Sequence, residues 1–515
     1  MSRPPPARPI PAVALLLLAL AGCAVGPDFE RPAPPAQGGY TPGGDPTQTV
    51  AGDGRAQRFN AGSAVPREWW KEFASPEIDA LVQAGLANSP SVAQAQAVLR
   101  QSQQNLRAGR GVFYPEVDLG AGFARQQLSP LRQGLNTAPS IFNLYTLSAA
   151  VGYVVDLFGG ERRQVEGLAA QAEAERAALQ ATYLSLAGNI VNTAVAEAAY
   201  RADIAAMERL IDLQRQQLEL VETQAAAGLV GDAAVVTARS QLVASEAALP
   251  PLQQRRAAAA DLLSILIGRA PADDIPAQPE LADIHLPGEL PVSLPARLAR
   301  QRPDILVAEA SLHVASAQVG VATAALFPTL TLTGDYGVNN QRLGELHDPN
   351  SRFWSVGPTL TLPLFQGGTG VARKAAAVAG YDAALAAYRQ TVLTALAQVA
   401  DTLQALEHDA QVAAARRQAL DLAQAQAELV TANRDAGLAS DIDWLAARQQ
   451  VEQARMGLND ATAQRHQDTV ALYVALGGGW RGAPCETPAD PSGSGTPPCP
   501  APDPAGSASA EEKTP

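Results

Sequence analysis

Little in this 515-residue sequence points to bond-making chemistry. It has three cysteines, three methionines and five histidines. Cys23 ends an apolar run, while Cys485 and Cys499 lie near the C-terminus, so none has metal-site spacing. His285, His313, His347, His408 and His466 are far apart, and no pair stands at i, i+4 as a helical metal clamp requires. Walker loops, Gly-x-Ser-x-Gly elbows and cysteine–histidine clusters are absent. The sequence therefore implies no cofactor, no metal and no catalytic residue. Basic residues are outnumbered, 38 against 51, for a net charge of -13, which excludes nucleic acid as an expected partner. After residue 22 no run of about 18 apolar residues occurs, so no transmembrane helix is expected.

What is present starts with an address. Arg3 and Arg8 precede the apolar run Ala12–Leu20, the layout of a signal peptide over residues 1–22. Leu20-Ala21-Gly22-Cys23 resembles a bacterial lipobox, which implies acylation at Cys23. Several acyl chains on one residue anchor stably, at ~0.8 kcal/mol per buried methylene. An ordinary signal peptide with a chance cysteine is the plainer alternative. Position 24 is alanine, not aspartate, a sorting pattern that implies the outer membrane. Residues 23–70, rich in Pro, Gly and Thr, read as an extended segment.

The middle of the chain is duplicated. Ser89-Pro90 and Tyr114-Pro115 recur as Arg302-Pro303 and Phe327-Pro328, both displaced by 213 residues. Asp156-Leu157-Phe158 answers to Pro363-Leu364-Phe365, and Ala227-Gly228-Leu229 to Ala436-Gly437-Leu438. The copies are residues 71–268 and 296–477. A Pro- and acid-rich linker, 269–295, joins them, and 478–515 read as a disordered Pro/Gly/Ser-rich tail. Cys485 and Cys499 within it can form a disulfide in an oxidising compartment or stay free.

Each copy reads as helix, two strands, long helix, turn, helix. The strands fall near 115–126, 143–156, 328–339 and 353–363. In the first, Val117, Leu119, Ala121 and Phe123 alternate with Glu116, Asp118, Gly120 and Gly122. In the third, Leu330, Leu332, Tyr336 and Val338 alternate with Thr329, Thr331, Thr333 and Asp335. Period two over such lengths marks a half-buried strand or a tilted membrane strand, which needs ~9–11 residues. A soluble hairpin packed on helices is the plainer reading. The Gly, Ser, Thr and acid on one face suit a watery lumen instead, and polar loops at 127–142 and 339–352 suit the outside of a barrel.

The long helices span about 160–226 and 369–435 and lack proline. At ~1.5 Å per residue each reaches ~100 Å, far beyond a globular core. Leu385, Tyr388, Val392, Ala395 and Val399 form a heptad-like seam for side-by-side packing. One chain offers four strands, whereas the smallest bacterial barrels have eight, so several copies must share a barrel.

Cys23-Ala24-Val25-Gly26-Pro27-Asp28-Phe29-Glu30-Arg31-Pro32 resembles the mature start of OprM/NodT-type outer-membrane lipoproteins, a branch of the TolC-type factors, and Trp69-Trp70 is similar too. The resemblance implies a mainly α fold with a membrane β-barrel: a homotrimer with a 12-stranded barrel in the outer membrane on a long periplasmic helical tunnel. It implies a passive efflux duct working with a periplasmic adaptor and an inner-membrane pump, often of the RND class. It implies adaptor docking at Gly228, Leu229, Gly437 and Leu438. The bland reading of those turns is a helix-capping glycine, with Asp232 or Asp441 as the next N-cap. The resemblance further implies a periplasmic gate at Asp443, assisted by Asp441. The second gate aspartate of the family falls on Ala446 here, and its Arg and Tyr partners on Ala439 and Arg434. Rival readings of the layout are a TolC-like duct for type I protein secretion and a non-transporting periplasmic coiled-coil lipoprotein.

Overall fold

The computed structural model describes residues 24–52, 56–129, 134 and 138–479. The expected signal peptide, the Cys23 anchor, and the tail with Cys485 and Cys499 lie outside the described residues.

Seven main helices carry the fold. They are α1 (Pro76–Asn88), α2 (Pro90–Gly109), α3 (Gly160–Ala226), α4 (Asp232–Leu266), α5 (Pro303–Ala324), α6 (Thr369–Asp435) and α7 (Asp441–Ala475). Proline opens α1, α2 and α5, where its missing N–H costs nothing. The two 67-residue helices α3 and α6 are the long staves. The shorter helices sit beside them in pairs, with α2 and α4 along one side of α3, α5 and α7 between α3 and α6. Helix α5 is long and apolar enough to cross a bilayer, but it packs along both α3 and α6.

Helix α6 shows why these staves pack side by side. Its buried residues are Tyr388, Val392, Ala395, Val399, Leu403, Leu406, Ala410, Ala413, Leu420 and Ala423. Steps of three and four keep them in one stripe, and the alanines allow close approach. Helix α4 contains Pro250 and Pro251. Their rings carry no N–H, so the carbonyls of Glu246 and Ala247 lose their helical donors.

Strands β2 (Glu116–Leu128), β3 (Ser140–Val155), β5 (Thr329–Asn340) and β6 (Arg352–Thr361) form one antiparallel sheet in the order β2-β3-β5-β6. The order is that of the helices they join: β2 follows α2, β3 leads into α3, β5 follows α5, and β6 leads towards α6. The sheet thus sits on the end of the helical layer as its continuation.

A second, two-stranded sheet was not expected. Strand β1 (Arg58–Ala61) pairs in parallel with β4 (Glu289–Val292). The first lies in the segment 23–70, and the second lies in the linker 269–295. At four residues each, they are too short to show a period in sequence. This sheet belongs to a belt around the waist of the helices, where the core is richest. Trp69 is fully buried and stacks on Tyr473 at 5.2 Å, and Phe73 meets the same ring edge-on. The fully buried Arg465 donates to Gln57 Oε1 (3.1 Å) and Thr49 Oγ1 (3.4 Å) of the N-terminal segment.

Candidate functional site

Two places in the molecule show more apolar surface than a soluble subunit needs: the sheet at one end and the hairpin tips at the other.

The sheet has one apolar face. Cross-strand register aligns Phe123 with Tyr145, Leu119 with Ala149, and Val117 with Val151. The same rows continue through Ala149 to Tyr336 and on to Trp354, and through Tyr153 to Leu332. These side chains face solvent: Leu119 is 80% exposed, Trp354 73% and Val356 76%. The other face pairs Asp118 with Ala150, Ser148 with Gly337, Asp335 with Ser355, and Thr331 with Thr359. An apolar outside against a polar inside is the pattern of a membrane strand. Among the described residues both edges, β2 and β6, are unpaired. Such long open edges have no place in lipid.

The sheet ends near the helices in an aromatic rim. Phe158 stacks on Phe327 at 4.7 Å, and Tyr114, Leu364 and Phe365 are widely exposed. Aromatic girdles mark the membrane–water boundary. The N-terminal segment reaches this level. Val25 N–H donates to Phe158 O (2.9 Å), and Arg163 bonds both Asp28 (2.6 Å) and Glu166 (2.7 Å). His313 completes the latch, stacked on Phe29 at 4.2 Å with Nε2 2.8 Å from Glu166. Val25 is therefore tethered at the junction of β3 and α3.

At the far end the two turns are built alike. Gly228 has φ +76° and Gly437 +74°, the left-handed region that closes a helix. Leu229 N–H donates to Gln224 O and Gly228 N–H to Ala225 O; Leu438 N–H donates to Asn433 O and Gly437 N–H to Arg434 O. Both are Schellman caps. Such caps usually tuck the residue after the glycine against the helix, yet Leu229 is 75% exposed and Leu438 80%.

The following N-caps correct one expectation. They are Gly231 and Ser440, and Asp232 and Asp441 are each the first helical residue. Ser440 and Asp443 form a reciprocal capping box. Asp443 Oδ2 accepts from Ser440 N–H (3.1 Å) and its hydroxyl (2.6 Å), and Ser440 Oγ accepts from Asp443 N–H (3.1 Å). The Ser440 hydroxyl, then its amide, hold the Asp443 carboxyl below its ordinary value. Serine three positions ahead of an acid was the signal in the sequence.

A cluster around Trp444 was not foreseen. Trp444 Nε1 donates to Thr431 Oγ1 (3.1 Å), with the Arg434 and Arg448 guanidinium carbons 4.4 and 5.0 Å from its ring centre. Arg434 also bonds Asp441. Asp441 is thus paired within its own chain, across the turn. The first tip has Ala225 and Val235 where the second has Arg434 and Trp444.

Comparison with known proteins gives a consistent picture. The family model described as "Outer membrane efflux protein" matches residues 81–269 and 294–478, one block for each repeat. The outer membrane protein OprJ of Pseudomonas aeruginosa is 29% identical over 480 residues, covering 90% of this chain and 95% of that protein. The pyoverdine export outer membrane protein OpmQ of the same species is 31% identical over 426 residues, covering 81% and 88%. Among solved structures, the outer-membrane channel OprN superposes with a TM-score of 0.76 at 28% identity, covering 89% of this chain and all of that one.

Proposed function

The chain belongs to the outer membrane efflux protein family, and from that premise we propose how it works: as a passive exit duct, without a catalytic step, through which small toxic compounds delivered by an inner-membrane pump leave by diffusion. It resides in the outer membrane as the channel component of an efflux system and works with a periplasmic adaptor and a pump. The proton-driven RND class is our reading of the pump.

The observation that carries this reading is the four-stranded sheet with one exposed apolar face, one polar face and two open edges. Four antiparallel strands per chain bring β6 of one copy antiparallel to β2 of the next, so copies close a barrel without a defect. The helical layer has matching open sides. Helix α4 exposes Val236 and Val243, seven apart, and α6 exposes Leu422 and Leu429, also seven apart. These stripes belong against one another in neighbouring copies. Three copies give twelve strands and twelve helical staves, the arrangement we adopt.

Three site assignments complete the reading. Cys23 carries the lipid, a reading supported by the bond of Val25 N–H, two residues on, to Phe158 O at the aromatic rim. Gly228, Leu229, Gly437 and Leu438 form the adaptor-docking tips, supported by two exposed leucines on otherwise finished caps. Asp443 and Asp441 stand at the periplasmic gate, with Asp441 restrained by Arg434.

The test is reconstitution of the full-length acylated protein. Heat-modifiable trimers on gels and discrete ion conductance in planar bilayers are expected. A monomer that conducts nothing would overturn the duct and favour the coiled-coil spacer. Capture of an exported protein with its ATPase, instead of a pump for small molecules, would favour the secretion duct.

A further inference from the structure

Helix α7 lies between α3 and α6, and on each side a carboxyl group of its own meets a carboxyl group of the neighbour. On the α3 side Asp203, only 5% exposed, accepts from Asn459 Nδ2 (2.9 Å) and faces Asp460. On the α6 side Asp409 faces Asp468, which accepts from Gln464 Nε2 (2.9 Å). Asp409 Oδ2 is buried and has no donor among the described residues. A carboxylate cannot supply one, whereas a carboxylic acid can.

The cations nearby are engaged elsewhere. Arg209 of α3 bonds Glu452 (2.9 Å), and Arg201 of α3 and Arg256 of α4 both bond Glu197 (2.7 and 3.1 Å). Arg465 of α7 draws the Asp409 carboxyl towards ionisation, but it bonds the neutral Gln57 and Thr49 of the N-terminal segment. The His466 ring is held between the carbonyls of Thr462 and Ile284.

We propose that α7 is a pH-sensitive stave, docked on both neighbours through carboxyl pairs that each share one proton and loosened when those protons leave. Burial, then Asp460, pushes the Asp203 carboxyl up to about 6. Burial, then Asp468, pushes that of Asp409 up to about 7. Between about pH 4 and these values the fold holds protons that the unfolded chain has given up. The contribution of the pairs is complete in acid and falls as pH climbs from about 4. By about pH 8 both pairs are almost wholly ionised and repel, and little further loss follows above it.

The experiment uses the assembled protein in detergent. Infrared difference spectra should show a protonated-carboxyl C=O band at about pH 5 that disappears by about pH 8, and it should be missing from the D203N/D409N double variant. Amide exchange along α7, normalised to an unstructured peptide at each pH, should show at least about tenfold less protection at the higher pH in the natural chain. In the variant, whose amides donate permanently, protection should not change. A natural chain with no titrating carboxyl band, or with α7 protection indifferent to pH, would overturn the proposal; both readings need only that chain.

Discussion

Replacing Leu229 and Leu438 together by aspartate separates docking from folding at the hairpin tips. Each leucine already stands in water, so the isolated protein should lose less than ~0.5 kcal/mol per site, the usual span for surface changes. A docked partner would remove that surface from water. Full burial of a leucine contributes ~1.5–3 kcal/mol, so two at these exposures amount to ~2–5 kcal/mol per chain. Association costs offset part of this, and a loss of at least about tenfold in affinity should remain, since ~1.4 kcal/mol is tenfold. The matched control is G228A with G437A. Nothing lies within 4 Å of a Cβ at either glycine, so the penalty is the left-handed backbone alone, ~1–2 kcal/mol per site. Thermal unfolding should register the glycine pair and ignore the leucine pair. Adaptor capture by the solubilised protein, titrated to give an apparent Kd, should register the leucine pair. Unchanged affinity in L229D/L438D would refute docking through these side chains and leave the turns as plain caps.

Other substitutions probe the remaining layers. W69A removes a fully buried ring from the waist and should cost ~3–5 kcal/mol, seen as a lower unfolding temperature. L119R puts a charge on the apolar face of the sheet and should cost ~2–4 kcal/mol in a bilayer, with loss of heat-modifiable trimers; T359K on the polar face should keep trimers and alter only conductance. S440A breaks the capping box at the start of α7 and should cost ~1 kcal/mol, with faster amide exchange confined to the first turn of that helix.

Long periods were legible in the sequence, and short ones were not. The strands showed because apolar and polar residues alternate along ten or more positions, and the apolar face marked by Leu119 and Tyr336 runs on across the sheet. The seam from Tyr388 to Val399 showed because α6 holds one stripe over many turns. The caps at Gly228 and Gly437 showed because the residues around them are repeated. Strands β1 and β4 stayed hidden: four residues in turn-rich surroundings have no period, and their pairing spans more than two hundred positions. The Trp444 cluster stayed hidden for a different reason. It draws Thr431 and Arg434 from one helix and Trp444 and Arg448 from the next, and only the fold of the turn brings them together. Asp441 and Asp443 were singled out as acids near a gate, but their immediate partners, Arg434 and Ser440, came from the geometry.

The prolines of α4 have a consequence for the whole ring. At the level where α4 has Pro250 and Pro251, its counterpart α7 has Asn459 and Asp460, which grip α3 through Asp203. One arm of the duplicated subunit is thus softened where the other is fastened. A closed assembly of such subunits alternates compliant and stiff ribs, and a radial load on it would be shared with the symmetry of the subunits, not with the doubled symmetry of the repeats.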